Sequence, residues 1–237
     1  MSIRTKSGSM TSLSMGRALV ALSTLIGLAA LPACNAANAK APPLPDPAVD
    51  ESVASQSSHE TAVVAGSCFW GMQLVFEHVK GVANVTAGYA GGSAKTAEYE
   101  TVSTGRTGHA ESVRIVYDPS QIANGQLLKE FFAVARNPTE LDRQGPDGGT
   151  QYRSVIFYAD QNQQRIAEAY INQLTEARSY SHKIVTQVAP LQGFYQAEAY
   201  HQDYAVHNPQ DMNIMINDLP KLDQLRKRLP DLYVEKQ

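Results

Sequence analysis

The sequence predicts an α/β sandwich with a mixed, mainly antiparallel sheet flanked by helices, and three observations carry that expectation. Short β-branched runs alternate with segments of helical period along most of the chain. Residues 59–237 have the length of one ordinary domain, enough to bury a sizeable core. No internal repeat organises them into an array.

The elements follow in order. "TAVVAG" (61–66) is an apolar, β-branched run that stops at glycine and reads as a buried strand. In "CFWGMQLVFEHV" (68–79), Phe69, Met72, Val75, Phe76 and Val79 recur at helical spacing, and Gly81 marks the stop. "VANVTAGYAGG" (82–92) reads as a second strand running into a glycine loop, and 96–110 as irregular. "ESVRIVYD" (111–118) alternates as a third strand. "NGQLLKEFFAVARN" (124–137) is a helix ended by Pro138, and 138–153 is a long Gly/Pro-rich loop of the kind that carries function inside a compact domain. "SVIFYA" (154–159) is a strand, 160–177 a helix capped by Asp160, and "KIVTQVAPL" (183–191) a strand. Residues 196–208 and 219–229 read as helical.

Upstream of this domain the layout changes. Arg4, Lys6 and Arg17 form a positive segment without acids, and residues 18–33 form an apolar run ending in small residues, the pattern of a secretory signal. "LPAC" (31–34) resembles a bacterial lipoprotein box with Cys34 as the lipidated residue, while "ANA" (37–39) suits ordinary signal cleavage. The expected organisation is a leader over 1–34, a flexible Pro/Ser/Ala-rich tether over 35–58 and a folded domain over 59–237. The expected location is the periplasm, or a lipid anchor on the outer membrane of a Gram-negative bacterium. Formal net charge is −3, and no basic stripe supports nucleic-acid binding.

The chain has two cysteines, Cys34 in the leader and Cys68. An exported protein with one domain thiol is unusual, because oxidising compartments favour pairs. Cys68 falls where a strand meets a helix, and a helix N-terminus lowers a thiol pKa through its unpaired N–H groups. That placement suits a nucleophile; simple packing is the alternative. Phe69 and Trp70 are either core anchors or an apolar corner for a small group such as a methyl. Taken singly, Glu111 reads as a surface strand carboxylate, Tyr99 and Tyr152 as packing residues, and Asp147 as a turn former. His109, His201 and His207 raise the question of a metal, but zinc-type spacing is absent and no metal is expected. His201 is expected to order the loop around the site or cap a helix.

Five motifs taken together resemble peptide methionine sulfoxide reductase of the A type: "GSCFWG" (66–71), "GYAGG" (88–92), "TGHAESVRIVYDP" (107–119), "RQGPDGGTQYRS" (143–154) and "HQDY" (201–204). The resemblance spans about Val63 to Leu229 and makes 59–237 the catalytic domain. It implies a ferredoxin-like sandwich and thiol-dependent reduction of methionine-S-sulfoxide, free or in proteins. It assigns Cys68 as the nucleophile, Phe69 and Trp70 as the wall against the substrate methyl, and Glu111 as the acid that protonates the sulfoxide oxygen. Tyr99 and Tyr152 would hydrogen-bond that oxygen, with Asp147 as a further polar contact. A protonated acid is chemically sensible there, because a sulfoxide oxygen leaves poorly without a proton.

Two departures from the family stand out. "ARNPT" (135–139) carries Arg136 and Asn137 where many relatives read His and Asp. The C-terminal segment also lacks the resolving cysteines many relatives carry. No bound cofactor is implied; an external thiol, from a thioredoxin-like protein, a glutaredoxin-type donor or a small molecule, would resolve the Cys68 sulfenic acid. Cys34 of an unprocessed chain is the alternative. The expected partners are oxidised methionine and that reductant, with the protein itself a monomer. Two other readings stay open: a non-catalytic module that binds oxidised methionine, and a hydrolase pairing Cys68 with a histidine.

Overall fold

Four consecutive apolar residues, Ala62 to Ala65, are buried in β1 (Glu60–Ala65), because this strand is paired on both sides and covered on both faces. Its side chains alternate: Ala62 and Val64 enter the main core, while Val63 and Ala65 enter a smaller one with Ala90, Ala110, Val155 and Phe157. The computed structural model describes residues 43–236. The leader, Cys34 and its possible processing sites lie outside the described residues.

After β1 come α1 (Phe69–Glu77), β2 (Val82–Ala90), a short α2 (Tyr99–Val102) and β3 (Ala110–Tyr117). Then follow α3 (Asn124–Glu130), a π-helical turn (Phe131–Ala135), a two-residue hairpin of β4 (Arg143–Gln144) and β5 (Asp147–Gly148), and β6 (Val155–Tyr158). The chain ends with α4 (Gln161–Glu176), β7 (Gln187–Pro190), β8 (Phe194–Gln196), α5 (Tyr204–His207), a second π turn (Ile214–Asp218) and α6 (Leu219–Arg228). The main sheet has the order β7-β6-β1-β3-β2-β8. β3 lies between β1 and β2, and β1 between β3 and β6, all antiparallel. Its four central strands therefore form the interleaved split βαβ pattern of ferredoxin-like folds. β7 extends the sheet parallel to β6, and β8 extends it antiparallel to β2. Helices α1 and α4 bury Phe69, Met72, Phe76, Ile166 and Tyr170 in the main core.

Residues 43–58, expected as a flexible tether, instead lie along the domain as a strap. Leu44 and Val49 pack on the main core, and polar contacts hold the rest. The N-cap position of α3 is Ala123, which has no side-chain acceptor, and the strap supplies one from far away. Asp50 Oδ1 accepts from the Gly125 N–H at 2.8 Å, and Glu51 Oε1 from the Asn124 N–H at 2.8 Å. Gly125 is required for this approach, since a Cβ there would stand 2.5 Å from Asp50 Oδ2. Lys129 binds Asp46 at 2.7 Å, and Tyr170 donates to the Pro45 carbonyl at 2.9 Å.

Three other expectations shift. Residues 196–208 were expected to be helical, but Phe194–Gln196 form β8 and only the short α5 and one 3-10 turn, Ala199–His201, are helical. Leu191 marks the end of the expected 183–191 strand, yet β7 covers only Gln187–Pro190. The 96–110 stretch, expected to be irregular, contains the single-turn α2. Among the described residues no helix is long and apolar enough to cross a membrane.

Candidate active site

The chain leaves β1 at Ala65, turns through Gly66 and Ser67, and enters α1 with Cys68 at the N-cap, its backbone still extended (φ −52°, ψ 126°). The strand-to-helix junction thus holds the thiol at the open end of the sheet. On the neighbouring strand, the register Ala65↔Ser112 brings Glu111 to the same end. Its Oε2 accepts the Phe69 N–H at 3.1 Å, so the carboxyl group occupies the unpaired N-terminus of α1 beside Cys68.

Burial controls the chemistry of both groups. Glu111 is fully enclosed, and desolvation pushes its pKa up to about 8, against the opposing Phe69 N–H; a negative Asp147 adds to the rise. The acid is therefore mostly protonated at neutral pH. Cys68 is 8% exposed, and burial pushes its thiol well above the ordinary value. Charge on Glu111 and Asp218 adds to that rise, and the Trp70 N–H opposes it. This corrects the expectation of a thiol lowered by the helix terminus: the N-cap geometry is present, but desolvation outweighs it. Since Glu111 is neutral at pH 7, its repulsion of a thiolate is largely absent at that pH.

Phe69 and Trp70, expected as a wall against the substrate methyl, lie in two environments. Phe69 is buried in the main core and Trp70 is half-buried. The Trp70 ring stacks on Tyr204 at 3.8 Å between centroids and 13° between planes. Its indole N–H donates to His201 Nδ1 at 3.1 Å, which identifies that imidazole nitrogen as the acceptor. His201 is buried and also packs on Phe69 at 5.0 Å and Tyr99 at 4.5 Å. It orders the aromatic cluster, as expected of a loop-fixing histidine.

The remaining expected residues converge on the same place. Tyr99 begins α2, and its half-buried hydroxyl is raised by desolvation and then by the charge of Glu111. Tyr152 is raised by desolvation, then by Glu111 and Cys68. Both phenols therefore remain donors across the ordinary pH range. Asp147, in the β4–β5 hairpin, is raised by burial and by Asp218, with Lys221 opposing. Among the described residues Cys68 is the one free cysteine, and no group of three or more His, Cys, Asp and Glu is placed to hold a metal ion.

Several supporting residues were missed from sequence. Glu198 accepts the Tyr99 N–H and the Tyr89 hydroxyl, each at 2.8 Å, fixing α2 against β2. Lys221 bridges Asp218 Oδ1 (2.9 Å) and Ser67 Oγ (3.2 Å), bracing the turn that carries Cys68. Gly71 admits Asp218, whose Oδ1 would lie 1.9 Å from a Cβ at that position. Arg136, the departure noted above, is buried and donates to the carbonyls of Gly66, Glu140 and Tyr152. It ties the Cys68 turn to the loop carrying Tyr152. The only signal for these contacts was the motif "GTQYRS" and the substitution itself; the partners are far apart in sequence.

Behind this site Glu130 is fully buried, both carboxyl oxygens lack a hydrogen-bond partner, and desolvation pushes its pKa up to about 8 despite Lys221. Unfolded, the same group ionises near its ordinary value. Between those two values the folded chain holds a proton the unfolded chain has lost, so stability falls as pH rises. Glu130→Met is expected to stabilise by about 1–3 kcal/mol at pH 5, by removing an unsatisfied buried acid, and by more at pH 8. Urea unfolding at both pH values checks this; an equal gain at both would contradict the linkage.

Comparison with known proteins follows the same lines. A family model for peptide methionine sulfoxide reductase matches residues 60–232. The chain is similar to peptide methionine sulfoxide reductase MsrA 2 of Mesorhizobium japonicum, 54% identical over 188 residues that cover 79% of this chain and 95% of the relative. A protein of the same name from Synechocystis is 47% identical, covering 79% of this chain and 89% of that one. Among solved structures, methionine sulfoxide reductase A of Corynebacterium diphtheriae aligns with a TM-score of 0.56 at 36% identity, covering 65% of this chain and 77% of the other. The reduced form of Mxr1 from Saccharomyces cerevisiae aligns with a TM-score of 0.59 at 29% identity, covering 67% and 94% respectively.

Proposed function

The chain belongs to the peptide methionine sulfoxide reductase family and reduces methionine sulfoxide to methionine, and from that premise we propose how its own residues perform the reaction. The observation that carries the proposal is the Phe69 N–H bond to Glu111, which puts a neutral acid and the Cys68 sulfur at one helix terminus. The substrate methyl rests against Trp70 and Phe69, and the sulfoxide oxygen faces Glu111, Tyr99 and Tyr152. Glu111 gives its proton to that oxygen, which makes the sulfur electrophilic and the oxygen a competent leaving group. The Glu111 carboxylate then takes the proton of the Cys68 thiol. The substrate S–O bond breaks and an S–O bond to Cys68 forms, leaving methionine and a cysteine sulfenic acid. Protons balance: the thiol hydrogen is replaced by hydroxyl on Cys68, and Glu111 ends protonated. Tyrosine hydroxyls stabilise the charge developing on oxygen without themselves ionising.

Sulfenic acid needs a reductant thiol, which condenses to a mixed disulfide with loss of water; a second thiol then releases Cys68. An external donor fits a domain whose described residues hold no second cysteine. A thioredoxin-like protein, a glutaredoxin-type donor or a small thiol would serve. The leader pattern over 1–34 supports export and a role in repairing envelope proteins. One experiment tests the catalytic reading. Incubation with a peptide carrying methionine sulfoxide and dithiothreitol should consume the S epimer alone. A single substrate addition without thiol should leave Cys68 trapped as sulfenic acid, visible by mass after alkylation with a carbon nucleophile. Loss of both epimers, or oxygen on another residue, would refute it.

A further inference from the structure

The described residues contain three methionines, and they fall into two classes. Met72 is 0% exposed in the main core, whereas Met212 is 74% and Met215 54% exposed. The exposed pair sits on one short segment at the edge of the active site. Upstream, Asp211 receives the Tyr204 hydroxyl at 3.1 Å, and the Tyr204 ring is the one stacked on Trp70. Downstream, Asp218 is buried beside Gly71 and contributes to the electrostatics of Cys68. Between them Ile214 is fully buried against Leu74, Ala205, Trp70 and Tyr204. The segment is pinned at Ile214 and Asp218 while both thioethers face solvent.

We propose that Met212 and Met215 are the chain's own oxidation sites, and that another copy of the enzyme repairs them. This rests on the catalytic reading above. Peroxide oxygen transfers to an accessible thioether, giving sulfoxide and water, and exposure decides which thioethers react. The product is the very group the site reduces, presented on the surface. Met212 is the better substrate of the two. It opens the helical run that ends in α6 and is the more exposed of the two, so its thioether is the more readily reached by another molecule's site. Met215 lies inside the π turn, with its N–H bonded to the Asp211 carbonyl at 2.9 Å. The reaction repeats the established one: substrate sulfoxide plus Cys68 thiol gives thioether plus Cys68 sulfenic acid, which the added thiol returns to thiol.

The test uses full-length Cys68→Ser protein as substrate, so that it cannot repair itself. Hydrogen peroxide oxidises it, and peptide mass spectrometry reads each methionine. Trace wild-type enzyme and dithiothreitol are then added, with a methionine sulfoxide tripeptide as a parallel control. Expected is oxidation at Met212 and Met215 with Met72 intact, followed by loss of about half of the sulfoxide, the S epimer, from the exposed pair. Met212 should be repaired first. Equal oxidation at Met72, or no repair of Met212 and Met215 while the tripeptide is reduced, overturns the inference and leaves the catalytic reading standing. No reduction of either substrate overturns both.

Discussion

Cys68→Ser is expected to abolish methionine sulfoxide reduction, with turnover falling below detection while substrate still binds. The reason is what the sulfur does, more than how acidic it is. In the proposed reaction it accepts an oxygen atom, and serine cannot, since the equivalent product would be a peroxide. Ordinary hydrogen-bond losses reduce turnover; removal of the atom acceptor ends it. Binding should survive because the proposed reaction assigns the methyl wall and the oxygen donors to other residues: Trp70, Phe69, Tyr99, Tyr152 and Glu111. Calorimetric titration with methionine sulfoxide separates the two quantities. Turnover within tenfold of the unaltered protein would show that another group accepts the oxygen.

Glu111→Gln should lower kcat by a factor on the order of 10²–10⁴, the range associated with a positioned general acid, with KM changed little. The amide oxygen still accepts the Phe69 N–H, so the start of α1 keeps its geometry while the transferable proton is lost. The pH profile carries the sharper signature. With its pKa at about 8, Glu111 loses its proton as pH rises through that value, so activity of the unaltered enzyme should decline on the alkaline side. The glutamine variant has no such group, and that limb should vanish from its residual activity. A KM that rises as much as kcat falls would make Glu111 a binding residue instead. The same raised pKa has a stability consequence of fixed sign. Folding holds a proton on Glu111 that the unfolded chain releases near pH 4.5, so the group favours folding below that pH and loses this contribution as pH climbs toward about 8.

What could be read from the sequence was local. The β1–α1 junction was legible because a β-branched run stops at glycine and helical spacing begins three residues later; Cys68 had to fall between them. β3 was legible from its alternation, and with it the position of Glu111 near the start of that strand. The strap over 43–58 was not legible, because its few apolar residues, Leu44 and Val49 among them, carry no periodic pattern even though they pack on the main core. Its value lies in carboxylates that satisfy a helix start more than seventy residues away. β8 escaped for a similar reason: three residues gain strand identity only from pairing with Gly88–Ala90. Glu198 and Lys221 escaped because each acts through partners distant in sequence. The Cys68 pKa was misjudged because a sequence shows the helix terminus but not how deeply tertiary packing encloses it. Arg136 was visible as a departure, and only the fold shows that it ties two active-site loops together.

Trp70 is the single tryptophan of the chain, two residues from Cys68, stacked on Tyr204 and bonded to His201. Its fluorescence is therefore a built-in optical probe of one site. No label is needed: quenching or a spectral shift on adding a sulfoxide would report events at this aromatic cluster. Rapid-mixing records of that signal would resolve substrate arrival, oxygen transfer and product departure as successive phases within a single turnover.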